Sequence, residues 1–459
     1  MQEETKMEKD MTVGSPGRAI LNFTIPIFIG NIFQQLYNMA DAVIVGKFVG
    51  PQALAAVGSC GTIMFLILGF LLGLTAGFTV ITSQYFGAGN KKAVRQSVAS
   101  AAILSAAISV IMTVGSMLAM KQILAWMNTP SDIYGEAYGY IMVICGGIAA
   151  QVLYNLLASI LRALGNSKVP LYFLVLAAFL NVVLDLVFII VFHMGAAGAA
   201  FATVISQGVS GLLCLVYIGK KVPELHLKKE DWKINWSMAG WQMKIGLPMA
   251  LQYSITAVGT IMVQAALNTL GSLAVAGFAA ASKIEQVVTQ AYVALGTAMA
   301  TYCAQNTGAG RFDRIRKGFG ASTLIGCIYA VLTGAAVILG GKYLTILFVS
   351  EQVNEIMHLA DIYLKCVAVT FIPLAVVNIY RNGIQGMGYG LLPMLAGVAE
   401  LIGRGSVALI SASRGSYIGT CMASPAAWIL AGGLLLIMYF GIVYAKNREE
   451  KRKKAVRKG

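Results

Sequence analysis

The stretch LNFTIPIFIGNIFQQLYNMADAVIV, residues 21–45, carries a single ionisable side chain, Asp41. A helix of roughly 20 apolar residues spans the hydrocarbon of a bilayer. This run is long enough to do so. Pro26 interrupts its backbone ladder early, a natural bending point whose freed carbonyl the surrounding bundle has to satisfy. A carboxylate at the centre of such a helix costs about 3 kcal/mol unless it is protonated, paired or in a wet cavity. Asp41 therefore faces a bundle interior or a cleft, not lipid. It has company: Asn31, Gln34, Asn38 and Asp41 step by three, four and three, forming one polar stripe, with Tyr37 beside it.

The rest of the chain repeats the same kind of run. Of 459 residues, 58% are hydrophobic and 12% charged, about half the charge of an ordinary soluble domain. Spans are predicted near 19–46, 52–83, 95–119, 135–161, 168–192, 196–219, 243–270, 273–304, 318–341, 355–386, 391–411 and 422–445. Twelve spans make an all-α polytopic membrane protein. The first 17 residues are charged and polar, with no cleavable secretory signal.

The net charge of +15 raises nucleic acid as a partner, but its distribution points to a membrane. Lys91, Lys92 and Arg95 follow span 2; Arg162 and Lys168 follow span 4; Lys220, Lys221, Lys228, Lys229 and Lys233 follow span 6. Arg311, Arg314, Arg316 and Lys317 follow span 8, and the tail is KNREEKRKKAVRKG. The alternate connections hold only Lys47, Lys121, Lys342 and Arg414. This positive-inside bias puts both termini in the cytoplasm and the basic tail on anionic headgroups. No nucleic-acid partner is expected. The seven cysteines are scattered and the three histidines lie in different segments, so neither disulfides nor a metal cluster is expected. No HExxH, GxSxG or GxxxxGK[ST] occurs, which leaves little for an intramembrane enzyme or an ATP-driven pump.

The chain is internally repeated. SQYFGAGNKKAVRQ (83–96) matches AQNTGAGRFDRIRK (304–317), aligning Gln84 with Gln305 and Gly87-Ala88-Gly89 with Gly308-Ala309-Gly310. Pro26 aligns with Pro248, GPQALAAVG (50–58) with GSLAVAGFA (271–279), and NLLASILRALGNSKVP (155–170) with NIYRNGIQGMGYGLLP (378–393). All four matches fall at offsets of 221 to 223 residues. Each repeat takes in six spans, so both halves have the same orientation, as in transporters built from parallel repeats. The organisation expected is a six-helix bundle over 1–219, a cytoplasmic linker over 220–240, a second bundle over 241–445 and a basic cytoplasmic tail over 446–459. Trp232, Trp236 and Trp241 read as headgroup anchors of the linker.

Further polar groups sit inside spans. Asn181 and Asp185 lie at i, i+4 on span 5, and span 6 adds Thr203. Asp41, Asn181, Asp185 and Thr203 are all oxygen donors. They suit a small hard cation such as Na⁺, or two carboxylates sharing a proton. A purely structural role, hydrogen bonding between helices, stays open for Asn181 and Asp185. In the second repeat, Met262 and Val263 stand opposite Asp41, and Ala408 opposite Asp185, so the chemistry is expected in the N-terminal half. Glu400 and Arg404, at i, i+4 on span 11, read as a mutually neutralising pair. Glu285 on span 8 leaves coupling, substrate contact and pore lining open; with Gln34, Tyr37, Asn38 and Asn155 it is placed in a substrate cavity.

In these features the chain resembles the multidrug and toxic compound extrusion (MATE) transporters, over nearly its whole length. The repeated Q-x-x-GAG after spans 2 and 8 and RALGNSKVP after span 4 carry the likeness. The resemblance is to the DinF-like branch, in which an acid of helix 1, an Asn and Asp of helix 5 and a Thr of helix 6 form the coupling-ion site; here those positions are Asp41, Asn181, Asp185 and Thr203. The NorM-like branch keeps further acids in helices 7 and 10. Here span 7 has none, and Glu355 and Asp361 lie near the outer end of span 10, which argues against a cation site in the C-terminal half. The resemblance implies a secondary antiporter of the cytoplasmic membrane, expected as a monomer, without cofactor. A proton or Na⁺ enters while a drug-like, amphipathic and often cationic compound leaves. A lipid-linked oligosaccharide flippase of the same superfamily is the alternative.

Overall fold

The computed structural model describes residues 10–127, 129–348 and 352–456, and among them every regular element is helical. The side chains of the basic tail beyond Lys446 lie outside the described residues, so the expected contact of that tail with headgroups does too. The helices are α1 (Pro16–Phe48), α2 (Pro51–Gly87), α3 (Lys91–Trp126), α4 (Ser131–Gly146), α5 (Ile148–Ala163), α6 (Lys168–Leu186) and α7 (Gly195–Lys221). After a linker come α8 (Trp236–Asn268), α9 (Ser272–Gly308), α10 (Phe312–Leu344), α11 (Val353–Ala368), α12 (Phe371–Gly386), α13 (Leu391–Ser413), α14 (Tyr417–Cys421) and α15 (Ala423–Val456).

These elements account for the twelve predicted spans. Among the described residues, nine helical stretches are long and apolar enough to cross a membrane on their own. Two more are bent pairs: α4 with α5 at 48°, and α11 with α12 at 51°. The twelfth, α9, is 37 residues long, but Ser282, Lys283 and Glu285 lower its apolar character. α1 runs through Pro26 as one helix.

The chain divides into two compact units. The first contains residues 1–257 and 301–315; the second contains 258–300 and 316–459. The first part of α8, the end of α9 and the start of α10 thus belong to the first unit. The repeated GAG motif explains part of this. A Cβ on Gly87 would lie 1.9 Å from the carbonyl oxygen of Gln305, and one on Gly308 would lie 1.7 Å from that of Gln84. The two copies pack backbone to backbone, and only glycine allows it. The last glycine of each copy does a different job. Gly89 (φ 70°) and Gly310 (φ 67°) are left-handed and end α2 and α9. The next amide then closes back on the helix, Asn90 N–H to Tyr85 O at 3.1 Å and Arg311 N–H to Asn306 O at 2.8 Å.

The first unit has two apolar layers. One joins Ile44, Cys60, Ile141, Cys145, Ile189 and Ala199. The other joins Phe78, Val98, Leu157, Leu174, Cys214 and Ile218. Along α7, the residues between these layers are polar and buried: Ser206, Gln207 and Ser210. Along α6 the same interval holds Asn181 and Asp185. A polar stratum therefore lies inside an apolar bundle. The outer surface is alkyl and aromatic, with Leu118 and Leu339 80% and 77% exposed, as a lipid-facing surface requires.

The linker is docked on the first unit. Val222 and Leu225 enter the second apolar layer, while Trp232, Trp236 and Trp241 stay exposed. Asp231 is buried and accepts from the Lys228 backbone N–H at 2.9 Å and from Arg95 Nε at 3.0 Å. Burial works to raise its carboxyl pKa, but these two donors and the Arg95 charge outweigh burial and hold it below the ordinary range.

The N-terminal segment before α1 is also tied down. Arg314, 7% exposed, donates to the carbonyls of Gly14 (2.8 Å), Met11 (3.1 Å) and Val13 (3.1 Å) and to Asn306 Oδ1 (3.1 Å). Gln305 accepts from the Met11 amide and donates to Ala163 O, each at 2.9 Å. Charge patterning counts Arg314 among the basic residues after span 8; in the structure it is a buried clamp.

Candidate functional site

Asp41 projects from α1 toward α6 and α7. It lies within side-chain reach of Asp185, Thr203 and Asn181, the four-residue set expected from the sequence. Asn181 Nδ2 donates to Thr203 Oγ1 at 3.4 Å. Asp185 is fully buried and Asn181 is 2% exposed. Four buried oxygens of this cluster, Asp41 Oδ1, Asn181 Oδ1 and both carboxylate oxygens of Asp185, have no hydrogen-bond partner. No ion pair among the described residues involves either acid. Two carboxyls with no counter-cation cannot both be charged there at tolerable cost, so a proton or a bound cation would lower the cost of burying the pair. Oxygen donors alone suit a proton or a hard monovalent cation. Among the described residues, no group of three His, Cys, Asp or Glu forms a transition-metal site.

The backbone next to this cluster is irregular. α6 ends at Leu186 and continues as a π-helical turn, Val187–Val191, directly after Asp185. Single π turns occur disproportionately at functional sites, because the extra residue re-aims neighbouring side chains. No spacing in the sequence announces it.

Tyr37 lies one turn before Asp41 and is buried, with its hydroxyl accepting from Gln207 Nε2 at 3.4 Å. Gln34 and Asn38 are exposed on α1, and Asn155 is half-buried on α5. The buried polar residues Gln151, Ser206 and Gln207 complete the stratum and were not singled out from the sequence. Their only sequence signal is polarity inside an apolar run.

Glu285 belongs to the second unit, where its carboxylate accepts from the Tyr363 hydroxyl of α11. The expected Glu400–Arg404 pair is present at 2.8 Å, but it has a third member: Arg381 Nη2 of α12 holds the other carboxylate oxygen at 2.5 Å. The positions matching Asp41 and Asp185 are apolar: Val263 and Ala408 pack together with Ala266 and Ala423.

Comparison with known proteins agrees with the repeated helical organisation. The MatE family profile matches twice, over residues 26–187 and 245–407, once per repeat. A probable multidrug resistance protein of Bacillus subtilis, YpnP, is 31% identical over 387 residues, 84% of this chain and 86% of that protein. A FAD transporter of Shewanella oneidensis is 23% identical over 430 residues, 91% of this chain and 92% of that protein. Among solved structures, a MOP superfamily transporter from Pyrococcus furiosus superimposes with a TM-score of 0.90 at 23% identity, covering 97% of this chain and 99% of that one. With two copies of the profile, a close relative over most of its length and the twelve-helix fold, the chain belongs to the MatE family of multidrug efflux transporters.

Proposed function

We propose that the chain is a secondary antiporter that exchanges protons or Na⁺, bound at Asp41 and Asp185, for amphipathic, often cationic compounds. One observation carries this reading: two carboxyls from α1 and α6 converge with four buried oxygens unmatched and no cationic side chain paired to them. An ion bound there neutralises the pair. Its binding energy differs between the arrangements of the bundle that hold the acids together and those that separate them. That difference is what lets an ion gradient drive a conformational cycle. Asn181 and Thr203 add neutral oxygens that a proton relay does not need, which favours a site that also admits Na⁺.

The chain is placed in the cytoplasmic membrane as a monomer with both termini inside, and it acts on small molecules in the bilayer, not on nucleic acid. A lipid-linked oligosaccharide is disfavoured as substrate, because its phosphate charge would meet two carboxyls. The test is efflux of a cationic dye from proteoliposomes with Na⁺ and pH gradients imposed separately. Efflux driven by either gradient, with Na⁺ competing against protons, is expected. Efflux indifferent to both gradients removes the antiport reading. Efflux driven by pH alone, unchanged in Asn181→Ala and Thr203→Val, reduces the site to protons only.

A further inference from the structure

We propose that the second unit carries its own proton-binding carboxyl, Glu285, and that protonating it switches a buried charge cluster from neutral to positive. This rests on the antiport reading above and adds to it a second ion-binding group, unrelated by the repeat to the first.

Glu285 is the exception among the second unit's acids. Asp361 is paired with Lys365 at 2.6 Å, and Glu400 with both Arg381 and Arg404. Glu355 is exposed at the start of α11. Glu285 is half-buried mid-way along α9, forms no ion pair among the described residues, and has one neutral partner, the Tyr363 hydroxyl. Tyr363 is itself 3% exposed and held against Phe278 with ring centroids 4.3 Å apart. The groups that act on this carboxyl are Tyr363 of α11, by its hydrogen bond, and Arg404 of α13, by its charge; Cys421 of α14 acts on Tyr363. Lys283 on α9 itself is exposed and about 160° round the helix from Glu285.

The charges then decide the ligand. Two guanidiniums share one carboxylate, Glu400, which leaves one positive charge over. The Nε groups of both arginines are buried without a hydrogen-bond partner, and among the described residues Glu400 is the one carboxylate that either guanidinium pairs with. Arg404 acts on Glu285 electrostatically. With Glu285 ionised, the four groups sum to zero. With Glu285 protonated, the unit holds one net positive charge in a low-dielectric interior, where charge acts over distance far more strongly than in water. A metal cation would find one carboxylate and one hydroxyl facing an arginine, which is too few oxygens. A proton needs only the carboxyl. Loading it repels a bound organic cation, and removing it restores a neutral cluster that tolerates one. No covalent step is involved: a proton adds to a Glu285 oxygen, and the Tyr363 hydroxyl keeps its own proton.

Glu285→Gln separates this role from a structural one, because the amide oxygen still accepts from Tyr363 while the titration is lost. The measurement is the number of protons released when purified protein in weakly buffered detergent is saturated with ethidium. In an Asp41→Asn/Asp185→Asn background, release of about one proton per bound cation is expected to remain. Adding Glu285→Gln is expected to abolish it. Tyr363→Phe in that background keeps the release but moves its pH midpoint, which a carboxyl serving only to hold Tyr363 would not do. Equal release with and without Glu285→Gln overturns the proposal. Wild-type dye efflux in proteoliposomes is scored separately, so loss of the antiport reading is not confused with loss of this one.

Discussion

Asp41 and Asp185 of the first unit meet with four oxygens unmatched, whereas their repeat counterparts, Val263 and Ala408, meet in an alkyl cluster. The second unit does hold ionic groups at membrane depth. They lie elsewhere along the helices and are almost fully paired: Glu400, two turns before Ala408 on α13, is gripped by Arg381 and Arg404. The same six-helix scaffold therefore supports two opposite solutions. One leaves acids without cations, which stores electrostatic cost that an incoming ion relieves. The other matches acid to base, which makes burial tolerable and does nothing until a partner is removed. An unmatched group at a buried site points to a ligand, and a matched one to architecture.

The largest effect expected from this contrast is on transport. Asp41→Asn should lower ion-driven dye efflux by about 100-fold or more, within the range seen when a positioned proton-transfer group is removed. Asp185→Asn should lower it less, because Asp41 still binds one proton. Efflux at wild-type rate from equal amounts of Asp41→Asn protein would sink the contrast at its centre.

Stability should run the other way. Glu400→Gln strands two buried guanidiniums and is expected to cost about 3–5 kcal/mol. Asp185→Asn removes an unmatched buried acid and is expected to leave stability unchanged or raised by about 1 kcal/mol, the usual exchange of activity for stability at a strained site. Thermal unfolding in detergent distinguishes them. If both variants melt like wild type, the pairing around Glu400 contributes nothing and the two units are not the opposites they look.

The contrast extends to cations. Among the described residues Arg314 forms no ion pair, yet it is satisfied by three backbone carbonyls and Asn306. Arg314→Ala should cost about 2–3 kcal/mol, the order of one or two charged hydrogen bonds net of hydration. It should also free the N-terminal segment. A cysteine placed at Thr12, 7% exposed, should go from protected to readily labelled. Unchanged labelling would mean the clamp is dispensable.

How much of this was open to sequence reading follows from how each feature is encoded. The spans, the duplication and Asp41 are written locally: an apolar run, a repeated motif at constant offset, a charge where none belongs. That Asp41 and the Asn181–Asp185 pair face inward followed from helix periodicity and the cost of exposing them to lipid, whereas their joining with Thr203 across three helices was what the resemblance to the MATE family implied. Arg381 escaped because its partner Glu400 lies 19 residues away on another helix, and no spacing rule joins them. Glu285 was grouped with Gln34 and Tyr37 by their polarity inside apolar runs, and the division of the chain that puts Glu285 in the second unit and the other two in the first is not written in any one span. The clamp made by Arg314 was not legible, because a basic loop looks the same whether its charge is solvated or held on carbonyls. The π turn after Asp185 left no trace, since VFIIV is as good an α-helix as any apolar run in a membrane.

The smallest effect expected concerns the matched pair outside the membrane. Asp231 accepts from the Lys228 amide and Arg95, and although burial opposes ionisation, these donors hold its pKa below the ordinary carboxyl value of about 3.9. A carboxyl whose folded pKa is depressed contributes stability that is fully present above its unfolded pKa. That contribution fades as pH falls through the lower folded value, where both states become protonated. Asp231→Asn should therefore destabilise docking of the linker at neutral pH by about 1 kcal/mol or less, as for a pair at a wet edge. The difference from wild type should shrink below about pH 4 and vanish once the folded carboxyl is protonated. Arg95→Gln should remove most of the same difference, leaving the share due to the Lys228 amide. Limited proteolysis of the linker at Lys228, Lys229 and Lys233, followed across pH, reads this directly. A gap between Asp231→Asn and wild type that widens toward acid would mean that burial, not pairing, governs Asp231, and that the linker acid belongs with the unmatched acids of the first unit.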